Sequence, residues 1–517
     1  MFRWLGDEAF GLVAMLGANI GLAGIFRQIM MMSLVREMGS AHHAGPQEFR
    51  RAYTALHRLA LVFALMTMLT FGIVLVALPL FKIPPDMLAA TRWFVVAQGV
   101  QTVAMVALSP VLNMYLVVER FTAYSVWFVS LRAMQLLAIV ILEYIIGIKD
   151  PAVGLQSLGL LWAGLSILVY LCGVLDLSLR NKALCPTIRK PEPGAMKEVM
   201  GTFSWNSGVQ IAMNLHEQVP PVLLNLVVGP LANAAWGVGF RLVAYIRMAT
   251  TGMQFGSDAV SARLSKDGGA EARRQLQNLV NVQTRLTAVI ALPAGLAVFI
   301  YGFPILHLWV GGQVQDYDGV MPNAVIMVRV LAAALAARAI SDTWIIVLYG
   351  AGYVRRYAPL IIAGGVLAPV TGYILMKTLP AEYVVIGPAI SFTAVFVGLH
   401  LIGMPIIAAR CLHLSPLSLL FSLRGPLTAT ILAAGAATGT LAAFGALPSL
   451  SFGQRPTEAL GTAINPLHLM TSIVVYGIAT GVFMLTIGLG SQDRARLKRL
   501  VPARFQRGKR TSTTTGE

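Results

Sequence analysis

Charge is scarce in this sequence. Only 12% of its 517 residues are Asp, Glu, Lys or Arg, about half the share of a soluble domain. Acidic residues are the scarcer kind, 22 against 39 Lys and Arg. Cysteine is nearly absent. Cys172, Cys185 and Cys411 are odd in number and lack metal-ligand spacing, so they read as free thiols and not as a disulfide framework or a metal cluster. Alternation of period two is missing, which argues against a membrane-spanning barrel. There is no Walker sequence, catalytic triad or metal pattern, so no enzymatic chemistry, direct ATP drive or cofactor is expected. A cleavable signal peptide is not evident: the first apolar run, from Phe10, is too long and no small-residue cleavage site follows it.

What the chain has in abundance is apolar sequence. Hydrophobic residues make up 57% of it, and the mean hydropathy is +0.73. Apolar runs of about 20 residues recur along the whole length, the mark of an all-α polytopic membrane protein. Thirteen spans are expected: 10–35, 56–81, 91–118, 122–147, 154–178, 202–228, 231–262, 284–310, 322–349, 356–378, 384–409, 423–447 and 466–490. The net charge of +17 does not point to nucleic acid once the basic residues are placed. One alternate set of loops, with the C-terminal tail, carries 27 of the 39 Lys and Arg. The other set carries six, Arg3, Lys82, Arg92, Lys149, Lys377 and Arg455, and six more lie inside spans. That asymmetry predicts a cytoplasmic C-terminus and, with thirteen spans, an outside N-terminus.

The most basic internal loop holds Pro186, Pro191 and Pro193 and divides the chain. Residues 1–180 form an expected N-terminal lobe of five spans, 181–201 a basic cytoplasmic linker, and 202–410 a C-terminal lobe of six spans. Two further spans fall in 411–490, and a basic tail in 491–517. Leu497, Leu500, Val501 and Phe505 share a helical face of that tail, which suits either an anionic membrane surface or a solvated, disordered end. Weak internal repeats support two lobes. Leu5-Gly6-Asp7-Glu8-Ala9-Phe10-Gly11 opens one span, and Val228-Gly229-Pro230 through Trp236-Gly237 opens another. Likewise Tyr115 to Phe121 and Tyr349 to Tyr357 both make tight basic turns.

The informative residues are the charges inside spans. These are Arg27, Arg132, Arg241, Arg247, Arg329 and Arg338, against Glu143, Asp176, Glu217, Asp258 and Asp342. An arginine at mid-membrane costs roughly 2.5–3.5 kcal/mol on insertion scales, so a chain that keeps several has somewhere polar to put them. Arg338 and Asp342 are four apart and can pair on one helix. Arg329 lies nine residues from Arg338, on roughly the opposite face. Arg247 and Asp258 share a face if 231–262 is one helix, but about 16 Å apart. Arg132, Arg241 and Arg247 therefore have no local counter-charge. Two readings follow: each pairs with an acid or a carbonyl on another helix, or together they line a wet, cationic cavity for an anion such as phosphate.

The sixth span carries Trp205, Asn206, Asn214, His216, Glu217 and Gln218 just before Pro220 and Pro221. Adjacent prolines end or kink a helix and free carbonyls that need partners. His216 and Glu217, with Asn206, Asp258 and Asp342, are candidates for ion coupling or glycan contact. Local satisfaction of the kink is the competing reading.

Three stretches resemble the polysaccharide-transport (Wzx-like) flippases of the MOP superfamily, which also holds MurJ and the MATE exporters. Leu5 to Gly11 is similar to the family's "LG-x-E-x-F/Y-G" at the start of its second helix. Gly350-Ala351-Gly352-Tyr353-Val354-Arg355-Arg356-Tyr357-Ala358 resembles its "G-x-G-(basic)-Y" turn, and Tyr383 to Ser391 the start of a later helix. The resemblance implies fourteen helices in two lobes around a central cationic cavity, working by alternating access. It implies an undecaprenyl-pyrophosphate-linked oligosaccharide as substrate, an O-antigen or exopolysaccharide unit, flipped across the bacterial inner membrane. Membrane lipids, a polysaccharide polymerase and glycosyltransferases would be its partners. Arg241 and Arg247 match the eighth helix and Arg27 the second. With Arg132 and Arg338 they are the expected pyrophosphate contacts. The family's first helix has no counterpart before Leu5, through a start assigned too late or through a thirteen-helix variant. A cation-coupled drug exporter, a lipid II flippase and a non-transporting assembly partner are the alternatives. The arginines count against the first of these.

Overall fold

The computed structural model describes residues 2–444, 466–490 and 494, except for 24, 27–28, 30–33, 35–37, 39–40, 42–44, 119, 181–183, 186–190, 255 and 268. The described residues are helical with no strand. In chain order the helices are α1 Phe2–Ala23, α2 Pro46–Ala77, α3 Leu88–Leu112, α4 Met114–Val117, α5 Phe121–Val140, α6 Pro151–Arg180, α7 Ala195–Val227, α8 Pro230–Gln254 and α9 Ser257–Asp267. There follow α10 Ala270–Val310, α11 Tyr317–Gly350, α12 Val354–Thr378, α13 Gly387–Phe396, α14 Met404–Leu412, α15 Pro416–Phe421, α16 Arg424–Ala443 and α17 Pro466–Phe483. Three π-helical segments, Ile141–Ile146, Val397–Gly403 and Met484–Gly488, interrupt or extend them.

Ten helices among the described residues are long and apolar enough to cross a membrane, so the chain is a multi-pass helical membrane protein. Helices stand at all thirteen expected spans, but α1, α7 and α8 are not among the ten. In α7 and α8 the reason is composition: α7 carries Asn206, Asn214, His216, Glu217 and Asn225, and α8 carries Asn233, Arg241, Arg247 and Gln254. Most of the rest of the first expected span lies outside the described residues, as do the linker residues 186–190 and the C-terminal tail but for 494.

One local expectation is corrected. The span 231–262 is not one helix. It breaks after Gln254, at Gly256 in the left-handed region (φ 81°), and α9 starts afresh at Ser257. Glycine enters that region without steric cost, which lets the chain turn there. Arg247 and Asp258 therefore lie on different elements. Pro220 and Pro221 lie inside α7, which runs through them to Val227, as the expected span 202–228 has it. They still remove the donors that would have met the carbonyls of His216 and Glu217.

The chain forms two compact units. The first comprises residues 1–241, 305–331 and 354–395, and the second 242–304, 332–353 and 396–517. Within the first unit, the two helices opened by the repeats meet at glycines. A Cβ on Gly11 would overlap the Pro230 carbonyl, and one on Gly237 would crowd Ala14 and Phe10. Within the second unit, a Cβ on Gly350 would overlap the Asp258 carbonyl and the Ser261 hydroxyl, so α11 ends in direct backbone contact with α9.

Candidate functional site

The charged site is built on α11. Arg338 and Asp342, one turn apart, face the same side, and Arg338 Nε donates to Asp342 Oδ1 at 2.9 Å. The order is the weaker one for an intrahelical pair, since an acid N-terminal to a base suits the helix dipole better. A second cation completes it. Arg247, about two turns before the end of α8, donates through Nε to Asp342 Oδ2 at 3.0 Å. One carboxylate is thus shared by two guanidinium groups, and the trio carries one net positive charge. Burial is graded across it: the side chains of Arg338, Asp342 and Arg247 are 3%, 13% and 39% exposed. Arg247 is the most exposed of the three.

A frame of polar contacts fixes the trio. His400 comes from the π-helical segment Val397–Gly403, is buried, and shares a 2.8 Å hydrogen bond between its Nδ1 and Ser341 Oγ. Its ring stacks on Phe396, four residues earlier, at 4.5 Å. The Arg338 guanidinium in turn lies 5.1 Å from the Phe396 ring centroid, a cation–π contact. Gln254 donates to the Ala339 carbonyl at 2.9 Å, and the hydroxyls of Thr287 and Thr343 meet at 3.0 Å. Trp344 donates to Thr284 at 2.8 Å. One face of α11 is therefore tied by polar groups to α8, α10 and the segment holding His400, all within the second unit.

The expected site residues fall as follows. Arg247, Arg338 and Asp342 come together. The pairing of Arg338 with Asp342 is as the spacing predicts; the expectation that Arg247 lacks a counter-charge is corrected, since Asp342 supplies one. Arg241 is exposed in the first unit, 5.5 Å from the Phe10 ring centroid. Arg132 lies in the first unit too, where its Nη1 donates to Gln135 Oε1 at 3.0 Å. His216 is buried edge-on against Phe392 at 4.5 Å, in an aromatic group with Trp236 and Phe240. Glu217 is half-buried beside it on α7. Asp258 is exposed in the first turn of α9, where the helix dipole suits an acid. Arg27 and the side chain of Asn206 lie outside the described residues.

His400 is not among the expected site residues. It stands 58 residues from Asp342 on another segment, in an otherwise apolar run. Phe396 at the i−4 position was the only local hint. No group of three or more His, Cys, Asp or Glu among the described residues has the arrangement to hold a metal ion.

No known family profile matches the sequence, and no curated protein matches it. Solved structures do. A multidrug-resistance MATE family transporter of the MOP superfamily, in an inward-facing conformation, matches with a TM-score of 0.61 at 15% identity, over 80% of this chain and 92% of that one. The lipid II flippase MurJ, in an inward closed conformation, matches at 0.58 and 12%, over 92% and 97%. A MOP-superfamily transporter from Pyrococcus furiosus, described as having a binding pocket of reversed polarity, matches at 0.51 and 16%, over 78% and 86%. At such identities the likeness is one of fold: this chain has the fold shared by MATE exporters and MurJ.

Proposed function

We propose that the chain is a transporter for an anionic lipid-linked oligosaccharide. The substrate is an undecaprenyl-pyrophosphate carrier bearing an O-antigen or exopolysaccharide unit, moved across the bacterial inner membrane by alternating access with the C-terminus cytoplasmic. A polymerase and glycosyltransferases are its proposed partners. The observation that carries this reading is the single carboxylate of Asp342 shared by Arg247 and Arg338. The shared fold admits drug exporters and lipid flippases alike; this net positive, graded site favours an anion and repels an organic cation.

The trio also supplies a mechanism. Asp342 holds both guanidinium groups oriented while the site is empty, so no buried cation is left without a counter-ion. A pyrophosphate accepts bidentate hydrogen bonds from arginine as well as a carboxylate does. It would displace Asp342 from the more exposed Arg247, leaving Asp342 on Arg338. That exchange loosens the tie between α8 and α11, which gives the ligand different contacts in two states, the requirement for driving a conformational change.

Binding of polyprenyl pyrophosphate to the purified chain tests this. Arg247→Gln is expected to weaken binding at least about tenfold, the scale of one charge-assisted pair. Asp342→Asn, which removes the carboxylate that competes for Arg247, is expected to bind as tightly or tighter. Undiminished binding in Arg247→Gln, or binding of cationic drugs in its place, would overturn the reading.

A further inference from the structure

A cavity of about 290 Å³ lies within the first unit, between α3, α5 and α6. Its walls are aromatic: Tyr124, Trp127, Phe128 and Tyr170. Trp127 is pinned, because its Nε1 donates to Tyr115 Oη at 2.8 Å, and Tyr115 donates to Asp176 Oδ2 at 2.7 Å. Asp176 is itself engaged by Arg180 at 2.6 Å. The acid of this network is thus already paired, and among the described residues no carboxylate lines the cavity.

Two polar groups in the lining are not accounted for by the fold. Arg132 lies ten residues into the span Thr122–Ile146, about 15 Å along the axis and so near the middle of a hydrocarbon layer about 30 Å thick. Its described partners are the neutral Gln135 and the ring of Phe128 at 5.8 Å; it makes no ion pair among the described residues. The second group is Gln101. It is 8% exposed, lines the same cavity, and its Oε1 has no hydrogen-bond partner among the described residues. A buried amide oxygen without a donor is costly, and a charge at this depth is a functional signal. Alongside the cavity, α5 leaves Val126, Val129 and Leu136 56%, 63% and 63% exposed.

We infer that this cavity binds the polar head of a hydroxylated anionic lipid. The phosphate sits against the Arg132 guanidinium, a head-group hydroxyl donates to Gln101 Oε1, and the acyl chains lie along the apolar face of α5. The lining demands each part: a cation without a counter-charge takes the phosphate, an orphan acceptor takes a hydroxyl, and aromatic walls beside an uncovered apolar helix take the hydrocarbon. This inference is independent of the transport reading, since it uses neither Arg247 nor Asp342.

Native mass spectrometry of the full chain in detergent, with equal amounts of phosphatidylglycerol, phosphatidic acid and phosphatidylcholine, tests it. Phosphatidylglycerol is expected to be retained about tenfold over phosphatidylcholine. Arg132→Gln should remove that preference, and Arg132→Lys should keep part of it. Gln101→Leu should lower phosphatidylglycerol to the level of phosphatidic acid. Arg92→Gln, an exposed cation of the same unit outside the cavity, should change nothing. Each variant is compared at equal monodispersity and melting temperature. Equal retention of all three lipids, or undiminished phosphatidylglycerol on folded Arg132→Gln, would overturn the site. Full displacement of the lipid by soluble glycerol phosphate would overturn its assignment to a lipid.

Discussion

Asp342 is the residue on which most depends. With Arg338 3% exposed against it, removal of the carboxylate leaves a buried cation, and breaking such a pair costs about 3–5 kcal/mol. Asp342→Asn is therefore expected to lower the melting temperature clearly in a detergent-based thermal assay. Arg247→Gln should lower it much less, because Arg247 is 39% exposed and solvent screens its share. If the two variants melt alike, the graded burial described above has no energetic meaning. The trio was half legible in the sequence. Residues 338 and 342 are four apart, and helix geometry alone brings them together. Arg247 is 95 residues away from Asp342, and no periodicity links α8 to α11. Its excess over local acids made it look bare when it is paired. His400 was illegible for the same reason: a lone histidine in an apolar run reads as core until the helix opposite is known.

Among the elements, the breaks matter more than the helices. Hydropathy over 231–262 masked the stop at Gly256, although Gly256-Ser257-Asp258 is a helix end followed by an N-terminal signal. Pro220-Pro221 lies inside α7, which continues through both to Val227, as the expected span has it. The Gly350 contact gives a sharp element-scale prediction. Gly350→Val would drive a side chain into the backbone of α9 at Asp258, costing about 1–3 kcal/mol as overpacking does. The same change at Gly17, with open space around it, is expected to cost no more than helix propensity. Comparing the melting temperatures of the two valine variants checks this, and equal losses would refute the close packing of α9 on α11. The π-helical segment around His400 fits the same pattern, since such segments concentrate where function needs a side chain re-aimed.

For the molecule as a whole, composition was the most legible level. Scarce charge and recurring apolar runs predict a polytopic helical protein, and ten described helices are long and apolar enough to cross a membrane. Helices α7 and α8, which fall short of that threshold, carry polar residues expected as candidates for binding or coupling. Orientation follows from the basic loops and is open to measurement. Cys185 lies exposed in the basic linker, so with Cys172 and Cys411 replaced by serine, an impermeant maleimide should label it from the cytoplasmic side alone. Labelling from the outside would invert the topology. For the proposed substrate the arginines indicate only a charge sign, an anion, and not the glycan it would carry.

The central claim is that the shared carboxylate and its two arginines handle an anionic lipid carrier. Translocation of a fluorescent undecaprenyl-pyrophosphate oligosaccharide in proteoliposomes tests it most directly, comparing the unaltered chain with Arg247→Glu at matched folding and reconstitution. The account predicts transport by the unaltered chain and its loss by at least about tenfold on charge reversal. Undiminished transport by Arg247→Glu, or transport of a cationic drug with none of the lipid-linked glycan, would contradict it.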